Sequence, residues 1–164
     1  MNTIQIRSCK REELSIISDL AYRIWPLAYK EMISQQQMDF MLNWMYSLET
    51  LEKQFEEGQQ FFIAEENVEP VGFIAIEALS KQNWKIQKLY VLVEKHGRGI
   101  GKFLLQKAID LAKKQQVFSL ELQVNRENKA VEFYKKMGFT IREAADFDIG
   151  NGFYMNDYVM EIQL

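Results

Sequence analysis

Lys88-Leu-Tyr-Val-Leu-Val-Glu-Lys-His-Gly-Arg-Gly-Ile-Gly-Lys102 decides the reading of this chain. A β-rich run flows into a glycine-rich turn, and the turn opens a segment whose apolar residues recur at helical spacing. Gly97, Gly99 and Gly101 let the backbone adopt positive φ and approach an anion closely, while exposed N–H groups and the helix dipole favour negative charge. The stretch therefore reads as a phosphate cradle. An ordinary strand-to-helix turn would explain the glycines alone, so context has to decide.

Better-known phosphate loops do not fit. Gly101-Lys102 is followed by Phe103, which leaves no Ser or Thr hydroxyl for a metal-bound phosphate. The three glycines also have the wrong spacing for a dinucleotide fingerprint, which would follow an early strand.

A second signature lies downstream, Asn125-Arg-Glu-Asn128-Lys-Ala130-Val-Glu-Phe-Tyr134-Lys-Lys-Met-Gly138-Phe139. Asn125 reads as a helix N-cap, Ala130, Phe133, Tyr134 and Met137 share a helical face, and Gly138 is the expected left-handed stop. His96-Gly97-Arg98-Gly99-Ile100-Gly101 resembles the acetyl-CoA-binding motif of the GNAT family of N-acetyltransferases, usually written Gln/Arg-x-x-Gly-x-Gly/Ala. The Asn-x-x-Asn-x-x-Ala-x-x-Phe-Tyr helix resembles that family's next motif and follows in the right order. The resemblance covers nearly the whole chain. It implies an α/β (α+β) fold of one domain over residues 1–164, a central mixed twisted sheet flanked by helices.

Composition sets bounds around that reading. The 164 residues are 48% hydrophobic and 13% aromatic, ample for one core. Cys9 and His96 are each the only residue of their type, so an internal disulfide, a cysteine zinc site and a histidine metal cluster all lack ligands. No metal is expected. No secretory leader and no membrane-length apolar run is read, so the expected setting is reducing and cytoplasmic, without membrane contact. A net charge of −3 argues against nucleic-acid binding over a broad basic surface. Glu49, Glu52, Glu56, Glu57, Glu65, Glu66 and Glu69 face a single base, Lys53, and the following Lys85-to-Lys114 stretch is basic. The basic half holds the phosphate site; the acidic half is expected near the acceptor. Solvated helix faces are the plainer explanation of both runs.

Patterning predicts a strand at Ile4 to Arg7, a helix from Glu12 to Tyr29 ended or kinked by Pro26, and helices over Gln35 to Tyr46 and Leu48 to Glu57. Strands are expected at Gln60 to Glu65 and Val71 to Ala78 around a turn at Asn67 to Pro70, the second covered on both faces. A strand from Ile86 to Val93 leads to a helix from Arg98 to Lys114 with Ile100, Phe103, Leu104, Ala108, Leu111 and Ala112 facing the core. A half-buried strand over Phe118 to Val124, the helix to Met137, and an antiparallel pair at Phe139 to Asp148 and Tyr154 to Ile162 complete the order.

The resemblance implies acetyl transfer from acetyl-CoA to a primary amine by direct attack. Pyrophosphate would lie on the backbone N–H groups of His96 to Lys102, and pantetheine along Leu89, Tyr90 and Val91 like an added strand. A bulge there would free a backbone group to polarise the thioester. Tyr134 aligns with the family's general acid toward the CoA sulfur, and Asn128 and Asn125 with residues that anchor the CoA arm. The chain departs from the family at His96, where Gln or Arg is usual, and at Gln87, where related enzymes often carry a glutamate that accepts the amine proton. Glu77, Tyr29, Asp157 and an ordered water chain are left as candidates for that base.

Trp25-Pro-Leu-Ala-Tyr29, the glutamate-rich helix and the tail Tyr154-Met-Asn-Asp157-Tyr-Val-Met160 look similar to bacterial polyamine N-acetyltransferases of the Pai type. That likeness implies a small cationic amine as partner, with Trp25, Tyr29, Glu77 and Gln87 on the acceptor side. A homodimer is compatible with it. A protein N-terminal or lysine acetyltransferase and a non-catalytic acyl-CoA-binding module are the alternatives.

Overall fold

The computed structural model describes residues 3–164. The elements run β1 (Ile4–Ser8), α1 (Leu14–Ala28), α2 (Gln35–Tyr46), α3 (Leu48–Glu56), β2 (Gln60–Glu66), β3 (Glu69–Ala78), β4 (Asn83–Val91), α4 (Ile100–Lys114), β5 (Ser119–Asn125), α5 (Ala130–Lys136), β6 (Thr140–Gly150) and β7 (Phe153–Gln163). Among the described residues the seven strands join one mixed sheet in the order β1-β2-β3-β4-β5-β7-β6, and only β4 and β5 run parallel.

Helices cover both faces of this sheet. Successive strand residues point to opposite sides. On β2, the Phe61 ring stacks on Phe55 of α3 at 6.4 Å, whereas Lys107 of α4 sits over the neighbouring Phe62 ring at 5.5 Å. β3 between the two layers is buried from Val71 to Ile76, as its uninterrupted apolar run requires. The α1 face is aromatic, with Tyr46 and Tyr90 in ring contact with each other and each with both Trp25 and Phe73. Lys88 is buried on the same face. Its Nζ donates to Gln54 Oε1 at 2.7 Å and lies over the Tyr46 and Phe61 rings, and burial lowers its pKa to about 8.

Several local expectations are corrected. The turn before α1 is 3-10 from Arg11 to Glu13 because Glu13 Oε1 folds back to accept the Lys10 N–H, so α1 begins at Leu14 rather than Glu12. Pro26 lies inside α1, which ends two residues later at Ala28. The β2–β3 turn is tight, with positive φ at Asn67 and Val68, and Pro70 already belongs to β3. Helix α4 starts at Ile100 because Gly99 is left-handed. Phe103 is 54% exposed instead of facing the core; Leu105 and Ile109 are buried, so the sheet-facing stripe centres on Leu104 and Ala108.

Two features shape the end of β4. Lys88 pairs with Ala75 and Ile86 with Ile76, so Gln87 is an extra residue that bulges the strand. Beyond the bulge, Gly72 lets β4 approach closely: a Cβ there would stand 2.8 Å from the Tyr90 carbonyl oxygen. Phe40 of α2 meets Phe153 of β7 at 5.4 Å and Gln37 Nε2 donates to the Tyr154 carbonyl at 2.7 Å, which ties the β6–β7 hairpin to α2. No helix among the described residues is long and apolar enough to cross a membrane.

Candidate active site

The sheet parts in its middle. β4 pairs with β5 only from Asn83 to Ile86, against Ser119 to Leu122, while β5 stays paired with β7 as far as Asn125. From Gln87 onward one edge of β4 therefore has no strand partner among the described residues, and unpaired backbone groups in a sheet invite an extended ligand. A cavity of about 1030 Å³ opens along this edge and takes in Gln87, Leu89, Tyr90 and Val91 from one side and Gln123 and Asn125 from the other.

The glycine loop closes the top of the split. Gly97 and Gly99 both have φ of +81°, and a Cβ added at either would meet nothing within 4 Å, so the conformation rather than crowding calls for glycine. His96, Gly97, Gly99, Ile100, Gly101 and Lys102 all line the cavity, placing the open first turn of α4 against it. His96 Nε2 lies 2.9 Å from the Val91 carbonyl oxygen. A carbonyl can only accept, so Nε2 carries the proton and the imidazole ties the loop to the end of β4. Arg98 is different. Its guanidinium turns away onto buried Glu66, at 3.0 Å, where Lys95 also binds at 2.7 Å. The lysine and arginine hydrogen bonds hold the Glu66 carboxyl below its usual range. Arg98 thus braces the loop, leaving only its backbone for an anion.

Three tyrosines from distant parts of the sequence converge below the loop. Tyr29, the residue that caps α1, shares a 2.9 Å hydrogen bond with the hydroxyl of Tyr90 on β4. Burial pushes its pKa up to about 12, against the Tyr90 hydrogen bond and the facing Asn128 amide. Tyr134 on α5 is 7% exposed, packs on Phe133 and Phe139, and lines the cavity. Desolvation raises its pKa, so the phenol is protonated, and its hydroxyl hydrogen-bonds to no other described residue. Asp157, on β7 opposite Asn125, completes the cluster; it is 3% exposed, and burial lifts its carboxyl to about 6.

The remaining expected residues divide. Trp25 and Gln87 line the cavity, as do Asn125 and Asn128. Asn125 is not the N-cap of α5: its Oδ1 closes the preceding turn on Glu127 N, and Asn128 Oδ1 accepts from Ala130 N at 2.9 Å, the work assigned to Asn125. Glu77 lies outside the lining, its carboxylate accepting the Gln87 amide at 2.7 Å. The acidic segment does not reach the site either. Glu52 and Glu56 face Arg11, Glu57 faces Lys53, Glu65 faces Arg7, and Glu66 holds the loop. An apolar part of the cavity lining is instead built by Met32, Ile33, Met41, Met45 and Met155, with Tyr154 and Glu31 also among the lining residues. Periodicity read Met41 and Met45 as core, and nothing in it separates a methionine that packs from one that also borders a cavity.

A sheet split at a bulged fourth strand, with a glycine turn and helix at its mouth, is the architecture of an acyl-CoA N-acyltransferase. Residues 29–161 match the acetyltransferase (GNAT) domain, and the chain belongs to that family of N-acetyltransferases. The solved structure of the PaiA N-acetyltransferase from Thermoplasma acidophilum in complex with coenzyme A superposes with a TM-score of 0.85 at 26% identity, covering 99% of each chain. A spermidine N(1)-acetyltransferase of the same organism is 26% identical over 152 residues, 89% of this chain and 94% of its own length. An uncharacterized N-acetyltransferase from Methanocaldococcus jannaschii is 41% identical over 104 residues, 57% of this chain but 43% of that protein, so the match spans less than half of that relative.

Proposed function

We propose that this chain, acting as one domain, transfers the acetyl group of acetyl-CoA to a small cationic alkylamine, with polyamines as the leading acceptor class. The observation that carries the reading is the unpaired edge of β4 running from the glycine loop into the cavity where Tyr134 presents a free hydroxyl. Acetyl-CoA supplies the activated acetyl thioester. The backbone N–H groups of His96 to Lys102 would hold its pyrophosphate, the edge of Leu89, Tyr90 and Val91 its pantetheine, and Asn125 and Asn128 its far side. A β4 backbone N–H beside the Gln87 bulge would donate to the thioester oxygen. Tyr134 would protonate the departing sulfur.

The acceptor class rests on the cavity and on the Thermoplasma relative named a spermidine N(1)-acetyltransferase. Methionine and isoleucine walls suit methylene spacers, the aromatic residues Trp25 and Tyr29 border the same cavity and would attract a cation, and Asp157 supplies a buried negative charge. The Glu49-to-Glu69 run contributes nothing to this attraction, since most of it is engaged in ion pairs. A panel of amines assayed for release of the CoA thiol tests the proposal. Diamines and spermidine are expected to exceed amino acids and aminosulfonates in kcat/KM by about tenfold or more, which corresponds to ~1.4 kcal/mol of differential binding. Best turnover with anionic amines would overturn the cationic acceptor, and absence of turnover with every small amine would overturn the small-molecule acceptor.

A further inference from the structure

Acetyl transfer to an amine needs a group that takes the ammonium proton, and the usual fourth-strand glutamate is Gln87 here. Among the described residues three carboxylates border the cavity, Glu31, Glu127 and Asp157. Glu31 and Glu127 are exposed and face bulk water. Glu77 stands outside the cavity with its carboxylate on Gln87. Asp157 is the buried one, and it is rigidly placed: β7 is paired on both sides at this residue, with Asn125 of β5 and Ala145 of β6. Met155, two residues away on the same strand, lines the apolar part of the cavity, so the inward face of β7 delivers Asp157 to where an alkylamine would end.

We propose that Asp157 is the general base of the reaction, accepting a proton from the acceptor ammonium inside the cavity; this rests on the acetyl-transfer reading above. The charged and polar groups that face it are Gln123 of β5, Arg126 beyond β5, Lys85 of β4 and Tyr29 at the end of α1. Lys85 is itself held, its Nζ donating to Gln123 Oε1 at 2.6 Å, and Arg126 is shared with Asp146 at 2.6 Å. Neither cation is close enough to form an ion pair with Asp157, and burial dominates its titration. The carboxylate is therefore ionised at neutral pH yet basic enough to take a proton.

The protons balance. Asp157 takes one proton from R–NH3+, and the freed lone pair forms the C–N bond to the carbonyl carbon. The C–S bond breaks, and the sulfur takes the phenolic proton of Tyr134. The second proton shed by the acetylated nitrogen restores Tyr134, while that on Asp157 passes to solvent, so one proton is released per turnover.

Asp157→Asn tests this in the full chain. With the best acceptor of the amine panel, kcat is expected to fall at least ~100-fold, the lower end of general-base contributions. Wild-type kcat/KM should decline as pH falls through about 6, and the variant should lack that limb. Trifluoroethylamine, already neutral at assay pH, should be turned over by variant and wild type within a few-fold, and Asp157→Glu should recover part of the lost rate. The fold should survive. The native carboxyl titrates higher than it would in the unfolded chain, so the folded state binds more protons between the two values and stability falls as pH rises through that window to about 6. Removing the charge relieves that loss, and thermal denaturation at neutral pH should show the variant at least as stable as the wild type. Turnover by the wild type carries the acetyl-transfer reading separately. An unchanged kcat with a raised KM would make Asp157 only a counterion and overturn the proposal, as would an acid limb retained in Asp157→Asn.

Discussion

Tyr134→Phe is expected to lower kcat by ~100-fold while leaving acetyl-CoA affinity and stability nearly intact. The substitution removes one oxygen and keeps the ring in contact with Phe133 and Phe139. No protein hydrogen bond is lost, because the hydroxyl makes none among the described residues. The effect is placed at the lower end of general-acid contributions for a physical reason. Burial makes this phenol less acidic than a free one, so its proton moves to a thiolate against a larger pKa gap, and water can substitute in part. Stopped-flow and steady-state measurement of thiol release at saturating acceptor would decide it. Full kcat with chemistry rate-limiting would reduce Tyr134 to a packing residue.

Gly101→Val is expected to weaken acetyl-CoA binding by ~5- to 150-fold, the equivalent of ~1–3 kcal/mol of overpacking. Gly101 is a better test of the cradle than Gly99. Gly99 has a φ of +81°, so any side chain there strains the loop with or without ligand. Gly101 lies in α4, and a Cβ there would meet Phe133 Cζ at 3.7 Å and Val91 Cγ2 at 3.9 Å, ordinary contacts. Valine is no worse than glycine in a helix, so the melting temperature should hold. Calorimetric titration would give the affinity, and an unchanged Kd would remove the loop from the binding site.

The glycine turn and the Asn125-to-Phe139 helix were legible in the sequence because each is a local device: left-handed glycines, a helical stripe, a glycine stop. Element order followed from hydrophobic period, and β3 from its unbroken apolar run. What the sequence hid is what only tertiary packing creates. Tyr134 was marked by its helix motif, and Tyr29 and Asp157 were among the candidate bases, but nothing local in the sequence says that these three meet Tyr90 in one cluster from four parts of the chain. The acidic run misled for the converse reason, since register alone brings Glu65 beside Arg7 and Glu66 beside the loop cations. Asn125 and Asn128 carry the same turn-forming chemistry, and sequence alone did not show that Asn128, rather than Asn125, is the one that accepts from the first residue of α5.

The parting of β4 from β5 has a mechanical side. Main-chain pairing across the middle of the sheet is limited to four matched positions, Asn83 to Ile86 with Ser119 to Leu122. An extended cosubstrate seated in the gap would touch both flanks and act as a removable eighth strand, coupling the resilience of the whole molecule to its own substrate. At a hundredfold excess over Kd, mass action alone would add about 2.7 kcal/mol. Amide hydrogen exchange should report where that reinforcement falls, with protection rising together at Gln87 to Val91 and at Gln123 to Asn125, and protease resistance rising with acetyl-CoA concentration. A ligand gripping only the glycine turn would quiet the loop and leave the exchange of β5 unaltered. The lifetime of this enzyme would then be set by the supply of the molecule it consumes.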